Sequence, residues 1–241
     1  MSRQSAPRPG PPQRSDDQEA SRLTIDELVR GIEVDIVFGI HGGGARLTED
    51  SLIVRSGAKR HLVREALSQL EAKGFVTRVP NRGAIVTELT PKQVDDIYQV
   101  RLFLETAAAR ITPLPAPKAV ITELDALQCA HAQAVEEEAF RDVFGLNIQF
   151  HGAQFALCGN AQLIGAIEDF SRRVHAIRAV KYADKVHMRQ VARQHRAMVV
   201  ALQGADTEVY VATVADHLPA SAIEYRKHFA RKHGQTVAAV R

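Results

Sequence analysis

The sequence is poor in the residues that mark several common classes of protein. Its 241 residues include no Trp and two Cys, and aromatic side chains make up 5%. So few aromatic rings disfavour a stacking platform for single-stranded nucleic acid. The two cysteines, Cys129 and Cys158, follow an N-terminus without an apolar signal segment. We therefore expect no disulfide scaffold and a cytoplasmic protein.

Long apolar runs and a strong excess of one charge are also missing. The apolar runs are only a few residues long, so no transmembrane helix is expected. The formal net charge is +3, which by itself is too small to indicate a nucleic-acid partner. With 45% apolar side chains, the chain is long enough for one large domain or two ordinary ones.

Composition and apolar periodicity divide the chain into four segments. Residues 1–20 are rich in Pro, Gly, Ser and Gln without apolar periodicity, which predicts a disordered arm. Residues 21–89 mix short helical and strand-like patterns, whereas residues 90–233 carry apolar side chains only at helical spacing. Residues 234–241 are predicted to be a flexible tail.

The second segment predicts a helix, a short helix, a turn, a helix and a hairpin. Thr24 caps the first helix, whose apolar positions continue to Ile40, before the glycines at 42–44. The next two helices are predicted at 49–56 and 59–73.

Two strand-like runs, 75–79 and 84–87, flank a turn and form the predicted hairpin. The third segment predicts an all-helical bundle. Its helices are expected at residues 91–111, 118–137, 139–157, 161–182, 185–203 and 206–231.

Basic side chains concentrate in one stretch of the second segment. Between Arg55 and Arg82 there are seven basic and two acidic residues, a local net charge of +5. In a helix-turn-helix the start of the second helix faces base edges, and an arginine fork matches a guanine edge. A solvated helix face is the alternative interpretation for any single arginine. The predicted DNA-contacting residues are Arg55, Lys59, Arg60, His61, Arg64 and Arg82.

This segment contains a series of short strings in a fixed order. They are Leu47-Thr48-Glu49, Arg60, Val63-Arg64-Glu65-Ala66-Leu67, Leu70-Glu71, Gly74-Phe75-Val76 and Arg82-Gly83-Ala84-Ile85-Val86. With these strings the segment resembles the winged helix of GntR-type regulators. Lys59 departs from a usual Ser, and His61-Leu62 departs from a usual Thr-Pro pair, so the operator need not match the common one of the family. The resemblance implies a homodimer on a pseudo-palindromic operator.

Ten histidines are many for this length, and most lie after residue 130. Asn147 and His151 share one helix face, and His195 and His217 lie on later helices. Bundles hold metal ions between facing helices, and imidazole suits zinc, nickel and related ions. A lone histidine is more often a packed or surface residue, which is our interpretation of His131, His175, His187, His228 and His233.

The helical segment also contains a series of short strings. They are Tyr98-Gln99-Val100-Arg101, Leu104-Glu105, Phe150-His151 before Gly159-Asn160, His195-Arg196 before Gly204-Ala205-Asp206, and Asp216-His217-Leu218. With these strings, residues 91 to about 230 resemble the all-helical effector domain of the FadR subfamily, the FCD domain. The resemblance implies that His151, His195 and His217 hold a divalent ion, zinc or nickel, together with Asn147. Asn147 stands where the family usually has Asp, so the site should bind metal more weakly.

A carboxylate effector would suit an open coordination position, with Arg101 or Arg178 as a second anchor. Arg101 matches a family position, Arg178 is suggested by helix placement, and a structural salt bridge is the alternative for either.

We therefore expect a mainly α protein, a winged helix-turn-helix with a hairpin wing followed by an antiparallel bundle. Its expected function is effector-controlled transcriptional regulation, most often repression. The alternative is a metal-dependent enzyme that uses the histidine cluster, although no His-Glu-x-x-His, Gly-x-Ser-x-Gly or phosphate-loop string occurs.

Overall fold

The computed structural model describes residues 23–80, 82–174 and 185–234. The predicted N-terminal arm and all of the predicted tail except Gly234 lie outside these residues, as does Arg178. The predicted fold class is confirmed, because the chain is mainly helical with one small antiparallel sheet. No helix in the described part of the chain has the length and apolar character needed to cross a membrane.

The N-terminal half forms three helices and a three-stranded sheet in which β3 lies between β1 and β2. The hairpin of β2 and β3 was predicted, whereas β1 was not. A two-residue strand is too short to show an alternating pattern, and its place is set by pairing with β3 through Arg46–Ile85 and Leu47–Ala84. The elements are α1 (Ile25–Val37), β1 (Arg46–Leu47), α2 (Glu49–Ser56), α3 (Arg60–Ala72), β2 (Val76–Val79) and β3 (Gly83–Val86).

The first helix begins where the sequence predicts and ends earlier. Thr24 and Glu27 form a reciprocal capping box at its N-terminus. The prediction that the helix continues to Ile40 is wrong, because α1 ends at Val37. Gly39 has a φ of 72°, a left-handed conformation that stops an α-helix.

In the C-terminal half, every regular element among the described residues is a helix. The prediction of one helix over 206–231 is wrong, because the chain breaks at Leu218 and Pro219 begins a new helix. Proline lacks the N–H of a helix interior but fits the first turn. The predicted helix 161–182 ends at Arg173, and residues 175–184 lie outside the described part. The helices are α4 (Pro91–Ile111), α5 (Lys118–Glu136), α6 (Phe140–Ala156), α7 (Ala161–Arg173), α8 (Lys185–Gln203), α9 (Thr207–His217) and α10 (Pro219–Lys232).

The bundle is organised around α4, which packs against α6, α7, α9 and α10. Its main apolar core includes Phe150 and Tyr210, both fully buried, together with Leu124, Met198 and Leu202. The α5–α6 and α5–α8 contacts complete the bundle. This packing brings α6, α8 and α9, the helices that carry the predicted metal ligands, into one core.

The winged helix and the bundle share apolar and polar contacts. One apolar cluster runs from α1 and α3 into the α5–α6 connection and the start of α8. Within it, the rings of Phe38 and Phe144 meet edge to face at 6.3 Å. From α10, Tyr225 Oη donates to the Leu89 carbonyl at 2.6 Å, and Lys232 Nζ donates to the Gly43 carbonyl at 2.8 Å. The C-terminal helix thus holds the connection between the two halves.

We expect Gly83→Ala to destabilise the winged helix. A Cβ at Gly83 would lie 2.0 Å from the Leu47 carbonyl oxygen, and the φ of 89° disfavours any other residue. The expected loss is more than about 2 kcal/mol in the free energy of unfolding, measured in urea. The control is Gly31→Ala in α1, where the new Cβ meets nothing within 4 Å and should be neutral or stabilising. Equal stability of the two variants would contradict the expected clash.

Candidate functional site

The predicted DNA-contacting side chains all lie on the surface of the winged helix. Lys59 occupies the N-cap position of α3 without a capping hydrogen bond from its side chain, and Arg60, His61 and Arg64 lie in the first turns. Arg82 lies in the turn between β2 and β3. The structure therefore places four of the six residues on the exposed N-terminal end of the helix predicted to enter the major groove.

Two of these arginines contact α2 in the protein alone. Arg64 Nε lies 2.9 and 3.0 Å from the two carboxylate oxygens of Glu49. Arg60 lies 3.2 Å from Glu49 and 2.6 Å from Asp50. The hydrogen bond from Arg64 lowers the pKa of Glu49. Exposed ion pairs of this kind are worth ~0–1 kcal/mol, so DNA can readily compete for both guanidinium groups.

The remaining two predicted contacts differ in their surroundings. Arg55 Nε donates to Asp35 at 2.8 Å and so ties α2 to a buried carboxylate of α1. This contact favours a structural role for Arg55. Arg82 is exposed on the wing, whose strand β2 is anchored to α3 because the Arg78 N–H donates to Glu71 at 2.8 Å.

The three predicted histidine ligands come together in the core of the bundle. His151 of α6, His195 of α8 and His217 of α9 form a triangle whose ring centroids lie 5.0 Å apart on each side. One ligand nitrogen from each ring lies within 4.8 Å of the others. His195 is fully buried, and the other two are half-buried.

A glutamine fixes the proton position on His217. Gln194 Nε2 donates to the Asp216 carbonyl at 3.0 Å, so its Oε1 must be the atom that faces His217. That oxygen lies 3.1 Å from His217 Nδ1, which therefore carries the proton. The lone pair of His217 then lies on Nε2. Such an outer hydrogen bond orients an imidazole for a metal ion.

A second glutamine, Gln154, fixes the proton position on His151. Gln154 is fully buried, and its Nε2 donates to Tyr210 Oη at 3.1 Å. Its Oε1 accepts from His151 Nδ1 at 2.9 Å, which leaves the lone pair of that ring on Nε2. Sequence reasoning missed both glutamines. The spacing of three residues between His151 and Gln154 is a signal, whereas nothing in the sequence connects Gln194 with His217.

The arrangement fits a first-row divalent ion. Three imidazole rings around a tetrahedral ion have centroids ~5 Å apart, as these three do. Imidazole is a suitable ligand for zinc, nickel and copper. Asn147 is buried one turn before His151 on α6. Its amide oxygen would be a neutral ligand, so the whole donor set carries no negative charge.

A fourth histidine, His131 of α5, lies behind the cluster. We interpreted it as a packed residue, and it is 1% exposed, with its ring centroid 4.8 Å from that of His195. Neither ring nitrogen has a hydrogen-bond partner among the described residues. Burial lowers the pKa of His131 to about 4, so the ring is neutral at pH 7.

A cavity of about 240 Å³ opens beside His151, and we call it the effector cavity. Two arginines line it, Arg101 of α4 and Arg172 of α7. Arg101 is buried, makes a 2.8 Å ion pair with Glu105, and lies 5.0 Å from the centre of the Tyr98 ring. The predicted anchor Arg101 is thus both a structural salt bridge and a cavity residue. Sequence reasoning missed Arg172.

The fold and the two sites define a DNA-binding protein of the winged helix-turn-helix type with a helical ligand-binding half. Residues 24–86 match the family described as bacterial regulatory proteins, gntR family, and residues 96–220 match the FCD domain. The chain therefore belongs to the GntR family of bacterial regulators that carry an FCD domain. It is a transcriptional regulator under effector control, and the matches give no support to the enzyme alternative.

Individual relatives agree with this assignment. The chain is 29% identical over 196 residues to the HTH-type transcriptional repressor RspR of Escherichia coli (strain K12), covering 80% of this chain and 84% of that one. It is 27% identical over 157 residues to the HTH-type transcriptional regulator YdhC of Bacillus subtilis (strain 168), covering 64% and 69%. The structure of E. coli McbR/YncC has the same fold, with a TM-score of 0.73 at 22% identity over 85% of this chain and 98% of that one.

We expect Arg64→Ala to weaken operator binding and relax base preference. Loss of one arginine fork from a base edge costs ~1–3 kcal/mol, or about 5- to 150-fold in affinity. The measurement is fluorescence anisotropy with DNA from the region upstream of the protein's own gene. Arg110→Ala is the matched control, since Arg110 is an equally exposed bundle arginine that also has an acidic partner, Glu208. If both variants bound the DNA like the wild type, α3 would not be the reading helix.

Proposed function

We propose that this protein is a cytoplasmic repressor that binds its operator as a homodimer and releases it when a small carboxylate enters the effector cavity. The observation that carries the proposal is the position of this cavity, which touches His151 of the histidine cluster and two arginines. Two guanidinium groups and an imidazole around one small cavity offer hydrogen-bond donors to an organic anion, and Glu168 is the one carboxylate among the described residues that line it. The relative RspR is a transcriptional repressor, which supports the proposed direction of regulation.

In the proposed division of labour, residues 21–89 bind DNA and residues 90–233 bind the effector and form the dimer. The α3 helix of each protomer reads one half-site in the major groove, and the wing follows the adjacent backbone. Exposed apolar side chains on α4, Phe103 at 65% and Leu102 at 39% exposure, support an interface with a second copy. The exposed basic residues of α3 supply the phosphate contacts that make DNA binding salt-dependent.

His151, His195 and His217 would hold the divalent ion, zinc or nickel, with Asn147 as a neutral fourth ligand. A bound ion would supply positive charge and a coordination position for a carboxylate oxygen. Gln154 and Gln194 keep the proton of two rings on Nδ1 and so present Nε2 to the cluster. Because no ligand is anionic, we expect weaker metal binding than at a site with Asp at position 147.

The size of the effector cavity favours a small acid. Its volume of about 240 Å³ is below the ~300–1,000 Å³ typical of pockets for drug-sized ligands. The cavity has an apolar wall and a polar side. The apolar wall consists of Ile148, Phe155, Ile164 and Ile167, and the polar groups are the two arginines, His151, Ser171 and Glu168. A short carbon chain with one or two carboxylates has matching chemistry.

We expect purified protein without a histidine tag to contain zinc or nickel, and His151→Ala combined with His195→Ala to remove it. Elemental analysis measures the metal content of each variant. His228→Ala is the control, because this histidine lies on α10 outside the cluster. Metal retained by the double variant would contradict the assigned ligands.

Asn147→Asp should bind the ion more tightly, since the carboxylate adds a negative charge to three neutral imidazoles. Competition with a fluorescent chelator measures the dissociation constant. Gln194→Leu should have the opposite effect, about 10- to 100-fold weaker binding, because His217 loses its outer hydrogen bond. An unchanged constant for Asn147→Asp would mean that residue 147 does not contact the ion.

The function itself is tested by thermal-shift screening of organic acids with and without zinc or nickel. The expected result is an acid that raises the melting temperature only in the presence of metal and displaces the protein from its upstream DNA. An acid that bound without changing DNA affinity would argue against effector control through this cavity.

A further inference from the structure

We propose that Arg172 is the movable anchor for the effector and couples the effector cavity to the winged helix. This inference rests on the function proposed above. Arg172 lies in the last turn of α7, where the effector cavity and two cavities at the junction of the two halves come together. It lines all three. Its neighbour Arg173 lines the two junction cavities but not the effector cavity.

The two junction cavities lie between the winged helix and the bundle. The first, about 400 Å³, is bounded by Gly43 and Glu88 on the winged-helix side and by Tyr225 and Lys232 of α10. The second, about 600 Å³, includes Glu71 at the end of α3 and Asp96 of α4. Arg172 therefore contributes a positive charge to a junction that carries carboxylates from both halves.

The present partners of Arg172 hold it weakly. Its guanidinium pairs with Asp169 and lies 3.8 Å from Glu168, both on its own helix. The side chain is 38% exposed, so these local ion pairs are screened by solvent. A carboxylate in the effector cavity offers Arg172 a two-pronged, charge-assisted bond. Exchange of partners costs little because Asp169 and Glu168 remain hydrated.

Arg101 cannot act as a movable anchor for the effector. Its side chain is 5% exposed and its partner Glu105 is 2% exposed. Withdrawing Arg101 toward a ligand would leave the Glu105 carboxylate buried without its counter-charge, which is strongly unfavourable. Arg101 thus stays with Glu105 and shapes the cavity, whereas Arg172 is the arginine that can move toward the effector.

Movement of Arg172 would link effector binding to the placement of α3 and so to DNA affinity. When Arg172 turns toward the effector, the junction cavities, which Glu71, Glu88 and Asp96 also line, lose one of their positive charges. Glu71 and Glu88 belong to the winged helix and its connection, and Asp96 belongs to the bundle. The balance of attraction between the halves changes, and the preferred placement of α3 changes with it. The effector shifts this equilibrium by its preference for one placement.

The test compares Arg172→Gln with the matched control Arg173→Gln. The probes are lactate, malonate, succinate, citrate and gluconate with metal-loaded protein, and the acid with the largest wild-type effect is followed by calorimetry. We expect Arg172→Gln to weaken acid binding by about tenfold or more with unchanged metal content, and Arg173→Gln to bind within about twofold of wild type. Because Arg172→Gln removes the same positive charge from the junction, its operator affinity should already be lower without acid and should not fall further at saturating acid.

Two further variants keep the test informative if Arg172→Gln folds poorly. Asp169→Asn releases Arg172 from its helix partner and should tighten acid binding severalfold. Arg172→Lys keeps the charge without the fork, so it should bind acid weakly but still release DNA at saturation.

The outcomes separate this inference from the function on which it rests. If the metal-loaded wild type bound none of the acids, the proposed function would fail and the role of Arg172 with it. If the wild type bound an acid and left DNA, and the Arg172 variants and Asp169→Asn did the same with wild-type constants, only the role of Arg172 would be overturned.

Discussion

The geometry of the proposed effector site depends on one constraint, the free-energy cost of burying a polar group or a charge without a partner. Gln154 avoids this cost on both sides of its amide, donating to Tyr210 and accepting from His151. Burial raises the pKa of Tyr210 to about 12, so its hydroxyl stays protonated. A chain of neutral groups thus runs from the apolar core to the histidine cluster and fixes which nitrogen of His151 faces it.

The same constraint sorts the arginines into fixed and exchangeable groups. Arg101 is buried with Glu105, and neither can leave without stranding the other charge. Arg60 and Arg64 are exposed and Arg172 is half-buried, and each pairs with a carboxylate that keeps contact with water. Exposed pairs are weak, so a DNA phosphate, a base edge or a carboxylate ligand can replace their partners. The exchangeable arginines lie on α3, which we propose binds DNA, and in the effector cavity, which we propose binds a carboxylate.

The sequence predicts those parts of the fold that depend on local pattern. Apolar periodicity and caps were sufficient for α4 and α8, whose bounds agree with the prediction. Features fixed by distant contacts were missed. The strand β1 exists only through pairing with β3, the hydrogen bond between Gln194 and His217 spans 23 residues, and Arg172 reaches the effector cavity through packing of α7 on α4. The histidine triangle was anticipated because a family resemblance supplied the long-range information that spacing lacks.

The shared core at the junction limits how the effector can act. The apolar cluster that joins α1 and α3 to the α5–α6 connection, together with the Phe38–Phe144 contact, makes complete separation of the two halves expensive. Lys232 also bonds both Gly43 and Glu88, and so holds α10 against the connection. A small shift about this connection keeps the apolar contacts and requires only exchange of polar partners. In the proposed dimer the two α3 helices would have to match half-sites one helical turn or a multiple of it apart, so even a small rotation of each winged helix would change operator affinity.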